Sequence, residues 1–218
     1  MLSATVSKGR LITIEGLDGA GKSTLATALA QAIEAQGVSV ELLREPGGVV
    51  LSERIRELVK DPGLEVGARA EALLYAAARA ELVHQRIGPL LERGSWVLLD
   101  RFVDSSLAYQ GAGRGLGIEQ VRAINLLATG GLTPDRTLLL EVSPTTGRGR
   151  QQTRGAEPDR LEREGEAFFQ AIAAAYEQLA RAEPQRIRPI DGEQTMAQVL
   201  EQALSQLEDL LPLAWRRR

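Results

Sequence analysis

The chain contains no cysteine. That absence excludes a disulfide framework and a thiolate zinc site, and it fits a cytosolic protein. Histidine occurs once, at His84. A Ser-His-Asp triad or a multi-histidine metal centre would have to be built around that residue, and no ligand pattern flanks it. Neither sign of charge dominates, since 26 Lys and Arg against 29 Asp and Glu leave a formal net charge of −3. Nothing global favours nucleic acid or an acidic membrane surface, so basic groups that bind a phosphorylated ligand must act locally. No apolar run approaches the roughly 20 residues needed to span a bilayer. Residues 1–9 lack a signal peptide's apolar region and read as a flexible end.

What remains is an ordinary soluble composition, 44% hydrophobic and 25% charged, long enough at 218 residues for one core with an insertion. A single domain is expected over 10–212, with a lid insertion at about 143–160 and a solvated basic tail at 213–218. Short β-branched apolar runs predict strands over 11–14, 38–43, 96–99, 137–142 and 186–190. Apolar residues at helical spacing predict helices over 22–36, 51–60, 68–93, 118–128, 162–182 and 196–211. The stretch 68–93 reads as one long helix or a kinked pair, with its weak point at Gly88-Pro89, and Trp96 is expected in the core. Alternating strands and helices imply an α/β fold: a five-stranded parallel sheet in a three-layer α/β/α arrangement. Ligands then sit beyond the carboxyl ends of the strands. The segment 143–159 is polar, rich in Arg, Gly, Thr and Gln, and too long for a plain connection, so it reads as a mobile lid over phosphates.

Gly16-Leu17-Asp18-Gly19-Ala20-Gly21-Lys22-Ser23, followed by Thr24, matches G-x-x-x-x-G-K-[ST] between a predicted strand and a predicted helix. Its glycines let successive backbone N–H groups curl around a phosphate, and the helix adds the positive end of its dipole. Lys22 can reach the outer phosphates of a nucleoside triphosphate, and Ser23 can ligate Mg²⁺. Asp100 closes the third strand, where a carboxylate can hold a Mg²⁺-bound water. The adjoining Arg101 and the strand-end Arg44 can each grip a phosphate. The Asn-Lys-x-Asp pattern of a GTPase and the multi-domain frame of a motor are both missing.

Arg44-Glu45-Pro46-Gly47-Gly48, Asp100-Arg101-Phe102, Ser105-Ser106-Leu107-Ala108-Tyr109-Gln110-Gly111 with Gly113-Arg114-Gly115, Pro134-Asp135, Arg154-Gly155 and Asp159-Arg160 together resemble the thymidylate kinase family, in its bacterial type. The resemblance runs in order from about 11 to 190. It implies a P-loop NTPase-type fold, ATP and Mg²⁺ as cofactors, transfer of phosphate to dTMP, and a homodimer. It also implies roles. Asp18 faces the sugar 3′-hydroxyl and the transferring phosphate, while Arg44 and Arg101 hold the dTMP phosphate. Tyr75 stacks on thymine, where the family usually has Phe, and Arg79 bonds a thymine carbonyl. Ser106 and Gln110 contact the base, and Tyr109 packs near the sugar 2′-carbon. One branch of the family carries a catalytic arginine at the position of Gly19. Here arginines stand instead at 148, 150, 154 and 160, of which Arg150 and Arg154 are the expected catalytic pair. Two other readings stay open: a kinase of the same fold with another acceptor, and a non-catalytic ATP-binding module.

Overall fold

The computed structural model describes residues 9–153 and 157–211. Arg154, the end 1–8 and the tail 212–218, with the roles expected of them, lie outside the described residues. In chain order the elements are β1 (Leu11–Gly16), α1 (Lys22–Glu34), β2 (Val40–Arg44), α2 (Val50–Lys60), α3 (Ala68–Leu82), α4 (Gly88–Glu92) and β3 (Trp96–Asp100). They continue with α5 (Val103–Ser106), α6 (Ile118–Thr129), β4 (Arg136–Glu141), α7 (Pro144–Gln152), α8 (Glu166–Ala182), β5 (Ile187–Asp191) and α9 (Met196–Ser205).

The strands form one parallel sheet ordered β2-β3-β1-β4-β5. β1, at its centre, is buried at every residue. Both faces of a parallel sheet must be covered, and the alternation along β1 shows how. Ile12 and Ile14 enter a core with Leu25, Leu29 and Ile33 of α1 and Val199 and Ala203 of α9. On the opposite face Leu11 joins Val97, Leu99, Leu82 and Phe102. Leu139 meets Ile172, Tyr176 and Leu179 of α8 on that same side. Trp96 is buried in the first core, and His84 lies exposed. Removing one of these aliphatic side chains costs about 2–5 kcal/mol. The outermost layer is α2, held on α3 through Ile55, Val59 and Ala78. The expected three-layer α/β/α architecture is thus present.

Differences from the expected elements have local causes. The long helix breaks one turn before Gly88-Pro89: Val83–Ile87 is a wide π-type turn in which Gly88 N–H reaches back to Val83 O. Pro89 has no N–H to continue the ladder. Residues 103–113, unassigned from sequence, are helical as α5 and a second π-type segment, Leu107–Gly113. The lid begins as helix α7 rather than loop, because the Ser143 hydroxyl caps Thr146 N–H and Pro144 sits in the first turn. No helix among the described residues is long and apolar enough to cross a membrane.

Strand register gathers the chemistry at one edge. Arg44 pairs with Asp100 across β2 and β3, and Ile14 with Asp100 across β1 and β3. Arg44 and Asp100 therefore end their strands level, and β1 runs two residues further to Gly16 on the same edge.

Candidate active site

The loop from β1 to α1 is held by its own backbone. Ala20 N–H bonds Leu17 O at 3.2 Å, and Gly21, with φ 96°, turns the chain into α1. Lys22 folds back over the loop, its Nζ donating to Leu17 O at 2.8 Å. Burial lowers its pKa to about 8, helped by Arg101 and opposed by Asp18, Asp100 and Glu15. Gly19 could be nothing else. Its φ is 81°, and a Cβ there would lie 2.1 Å from the carbonyl oxygen of Gly147 in α7. The arginine that one branch of the family carries at this position has no room.

Ser23 Oγ donates to Asp100 Oδ2 at 2.6 Å. Asp100 Oδ1 is buried and has no hydrogen-bond partner among the described residues, an oxygen available to a cation or its water. Arg101 adopts φ 70°, uncommon for a residue with a side chain. That twist sends its guanidinium back over the loop. It donates to Gly16 O at 3.1 Å, Ser105 Oγ at 3.0 Å, Asp18 Oδ1 at 2.7 Å and Tyr109 Oη at 3.1 Å. Tyr109 Oη donates to Asp18 Oδ2 at 2.8 Å. Burial alone would raise the Asp18 pKa. The charges of Arg101 and Lys22, with these hydrogen bonds, more than offset it and hold the carboxyl far below its usual range. Arg44, farther out, pairs with Glu53 at 3.1 Å.

A cavity of about 190 Å³ opens beside this cluster. It is lined by every acceptor-site residue expected from sequence: Asp18, Arg44, Tyr75, Arg79, Arg101, Ser106, Tyr109 and Gln110. Lys22, Ser23 and Asp100 stand at the same cavity. A larger groove of about 870 Å³ between β4, β5 and α8 holds none of these charged groups. We therefore place the chemistry in the smaller one.

The far wall is a buried polar network. Arg79, 1% exposed, gives Nε and Nη2 to Glu45 Oε2, each at 2.7 Å, and Nη2 also to Phe102 O at 2.9 Å. Its Nη1 reaches Ser106 Oγ at 2.9 Å and Asn125 Oδ1. All five donors are thus engaged by the protein. A base carbonyl at this wall must share or displace one of those bonds. Burial raises the Glu45 pKa to about 7 against the pull of Arg79.

Among the described residues, the lid arginines Arg148, Arg150 and Arg160 do not line the cavity. Arg148 lies over the Phe169 ring, 5.5 Å from its centroid. Arg150 donates to Gly192 O at 3.0 Å, in the turn after β5. Arg160 reaches Glu71 at 2.6 Å.

Several polar residues escaped the sequence reading. Glu15, fully buried, accepts Phe102 N–H at 2.7 Å, the Ser105 hydroxyl at 2.5 Å and the Tyr176 hydroxyl at 3.1 Å. It thereby fixes the chain on either side of Arg101. Glu45 and Asn125 brace Arg79. Glu71 could have been found, since 71, 75 and 79 fall at four-residue spacing on one helix face. Asn125 carries no such signal, because tertiary packing of α6 on α3 brings it in.

The thymidylate kinase family model matches residues 14–203. The chain is 47% identical to a thymidylate kinase of Halorhodospira halophila, covering 96% of this chain and 98% of that one. It is 48% identical to one of Deinococcus radiodurans, covering 86% and 90%. In structure it resembles the crystal structure of thymidylate kinase from Ehrlichia chaffeensis, with a TM-score of 0.74 and 30% identity over 92% of this chain and 98% of the other. Sequence match, sheet topology and site geometry agree: the chain belongs to the thymidylate kinase family.

Proposed function

We propose that this protein phosphorylates dTMP to dTDP with ATP, supplying dTTP synthesis. The observation that carries this is the Arg101–Asp18–Tyr109 cluster beside Lys22. It sets a second anion site against the P-loop, where a protein that only bound ATP would need none. That feature also disfavours the non-catalytic module.

In the reaction an oxygen of the dTMP phosphate attacks the γ-phosphorus in line. The bond from that phosphorus to the β,γ-bridging oxygen breaks, and ADP leaves with the electron pair. The attacking oxygen is already ionised, so no strong general base is needed. This chain's part is positioning and charge neutralisation in a site shielded from water. The P-loop N–H groups and Lys22 hold the triphosphate, Arg101 and Arg44 hold the acceptor phosphate, and Asp18 takes the sugar 3′-hydroxyl. Tyr75 stacks on the base, Ser106 and Gln110 bond it, and Tyr109 crowds out a ribose 2′-hydroxyl. Arg150 and Arg154 are the arginines that serve the transition state, Arg150 only after it leaves Gly192 O, where it is engaged.

Mg²⁺ fits the residues present. Among the described residues no group of three or more His, Cys, Asp or Glu side chains is placed to hold a metal ion by itself. Ser23 and the unpartnered oxygen of Asp100 form the sparse donor set suited to an ion that keeps waters and takes phosphate oxygens. When bound, the ion supplies neutralisation of the charge developing on the transferred phosphate.

The working unit we propose is a homodimer in the cytoplasm. The outer helices expose Val50 (82%), Leu73 (56%), Leu126 (63%) and Leu127 (87%) on α2, α3 and α6, apolar side chains that a partner subunit could cover. Leu127→Glu is expected to shift sedimentation from dimer to monomer; an unchanged dimer would place the interface elsewhere. For the reaction itself, γ-labelled ATP incubated with dTMP should yield labelled dTDP. Label released only as inorganic phosphate would contradict transfer.

A further inference from the structure

Glu71 stands on α3 with no exposure. Its Oε1 accepts Gln110 Nε2–H at 2.9 Å. Arg114 spans both its oxygens, with Nε at 3.3 and 3.2 Å and Nη2 at 3.1 Å from Oε2. Arg160, returning from the lid, reaches Oε2 at 2.6 Å. The group thus ties α3 to the π-type segment Leu107–Gly113 and to the lid's far end. None of these contacts involves Asp18, Lys22 or Arg101.

The chemistry of the Gln110 contact fixes a direction. A carboxylate only accepts hydrogen bonds, whereas a side-chain amide has one donating and one accepting end. The end turned to Glu71 is therefore the NH₂, and the carbonyl Oε1 faces away from it. Among the described residues no protein group donates to that Oε1, nor is it a buried orphan. Gln110, 2% exposed, lines the cavity beside Tyr75, Arg79 and Ser106. Turning the amide over would set its oxygen against the Glu71 carboxylate, two acceptors with no proton between them, and would take from that buried carboxylate one of its donors, which is costly.

We propose that Glu71 is a specificity-determining positioning residue: it locks Gln110 so that a bare acceptor faces the base, selecting bases with an N–H at that ring position. Thymine and uracil carry N3–H there. Cytosine carries an unprotonated N3, so two acceptors would face each other with nothing between them. The inference rests on the reading that Gln110 faces the base. A carboxylate that only braced Arg114 and Arg160 would affect stability and leave the choice of base unchanged.

The test is steady-state kinetics with dTMP and dCMP on three variants. In Glu71→Gln the new amide can donate or accept, so Gln110 is free to turn. The dTMP:dCMP ratio of kcat/KM should fall about tenfold or more, through KM for dTMP far more than through kcat. In the exchange Glu71→Gln with Gln110→Glu, a carboxylate at position 110 accepts from both sides, so thymine preference should return. An unchanged ratio in Glu71→Gln overturns the proposal. Gln110→Leu then separates the two ideas. If it abolishes the preference while Glu71→Gln does not, Gln110 reads the base without help from Glu71. If neither changes it, the base-facing reading of Gln110 falls as well. Should Glu71→Gln fail to fold by circular dichroism, the charge-conserving exchange carries the test, and loss of its thymine preference overturns the inference. On the unaltered chain, 3-methyl-dTMP should show a KM about tenfold or more above that of dTMP; equal use of the two would also overturn it.

Discussion

On the proposed assignment, the cavity has a phosphate end and a base end, and the two solve opposite problems. At the phosphate end, charges wait for a partner. Among the described residues, Asp100 keeps a buried oxygen without a hydrogen bond, Lys22 rests on a backbone carbonyl, and half-exposed Arg44 pairs with Glu53. At the base end, the charged groups are mostly held by protein partners already, although Glu45 Oε1 is also a buried oxygen without a hydrogen bond among the described residues. Arg79 is saturated by Glu45, Ser106, Asn125 and Phe102, and Glu71 by Gln110, Arg114 and Arg160. A phosphate brings several negative charges and can displace weak interim contacts. A base brings one or two neutral hydrogen bonds, so the groups that read it must be oriented beforehand. Removing a residue should therefore damage chemistry at the first end, and stability and substrate choice at the second.

The widest gap between the ends is expected from Lys22→Ala. Its kcat should fall roughly 10³- to 10⁴-fold with every acceptor while the melting temperature barely moves, because Lys22 leaves no buried carboxylate unpaired. Calorimetry beside kinetics checks both halves, and a loss confined to one acceptor would erase the distinction. Arg79→Ala is the converse. It strands Glu45, which is 5% exposed, so stability should fall by about 3–5 kcal/mol, with a raised KM for dTMP. Denaturant titration of this variant that matched the unaltered chain would break the comparison.

The pH dependence of stability sharpens the base end alone. The Glu45 pKa is raised by burial to about 7 in the folded state, against an ordinary value of 4.5. Between those values the folded chain holds a proton that the unfolded chain has released. Its contribution is full below 4.5 and is lost as pH rises toward 7, by at most about 3 kcal/mol. Glu45→Gln should flatten the melting-temperature profile across that window, and an equally sloped profile would remove Glu45 as its source. The smallest effect is Tyr109→Phe. Losing the hydroxyl shared by Asp18 and Arg101 should lower kcat/KM for dTMP by about tenfold, the value of one hydrogen bond to charged groups, with little change in melting temperature.

The same division decides what could be read without coordinates. The phosphate end is local. Residues 16–24 are contiguous, and Arg44 and Asp100 close adjacent strands, so motif and strand order place them. Tyr75 and Arg79 were placed at the base by resemblance, and the cavity does bring them together. The saturation of Arg79 was not legible, because its partners come from Glu45 after β2, Ser106 in α5 and Asn125 in α6, which only tertiary packing unites. Helix α7 was missed because polar, Gly-containing sequence hid the Ser143-Pro144 start signal. Arg150 was expected at the transferring phosphate. In this conformation it sits on Gly192 O, a contact that depends on where β5 ends.

The central claim is that one cavity joins a phosphate-transfer end to a thymine-reading end. It is tested most directly by coupled ADP release with ATP·Mg²⁺ and each of dTMP, dUMP, dCMP, dGMP, UMP and AMP, on the unaltered chain and on Lys22→Ala. The account predicts fast turnover with dTMP, weak turnover with dCMP and the purines, and loss of all of it in Lys22→Ala. ATP binding without turnover on any acceptor, or turnover indifferent to the base, would contradict it.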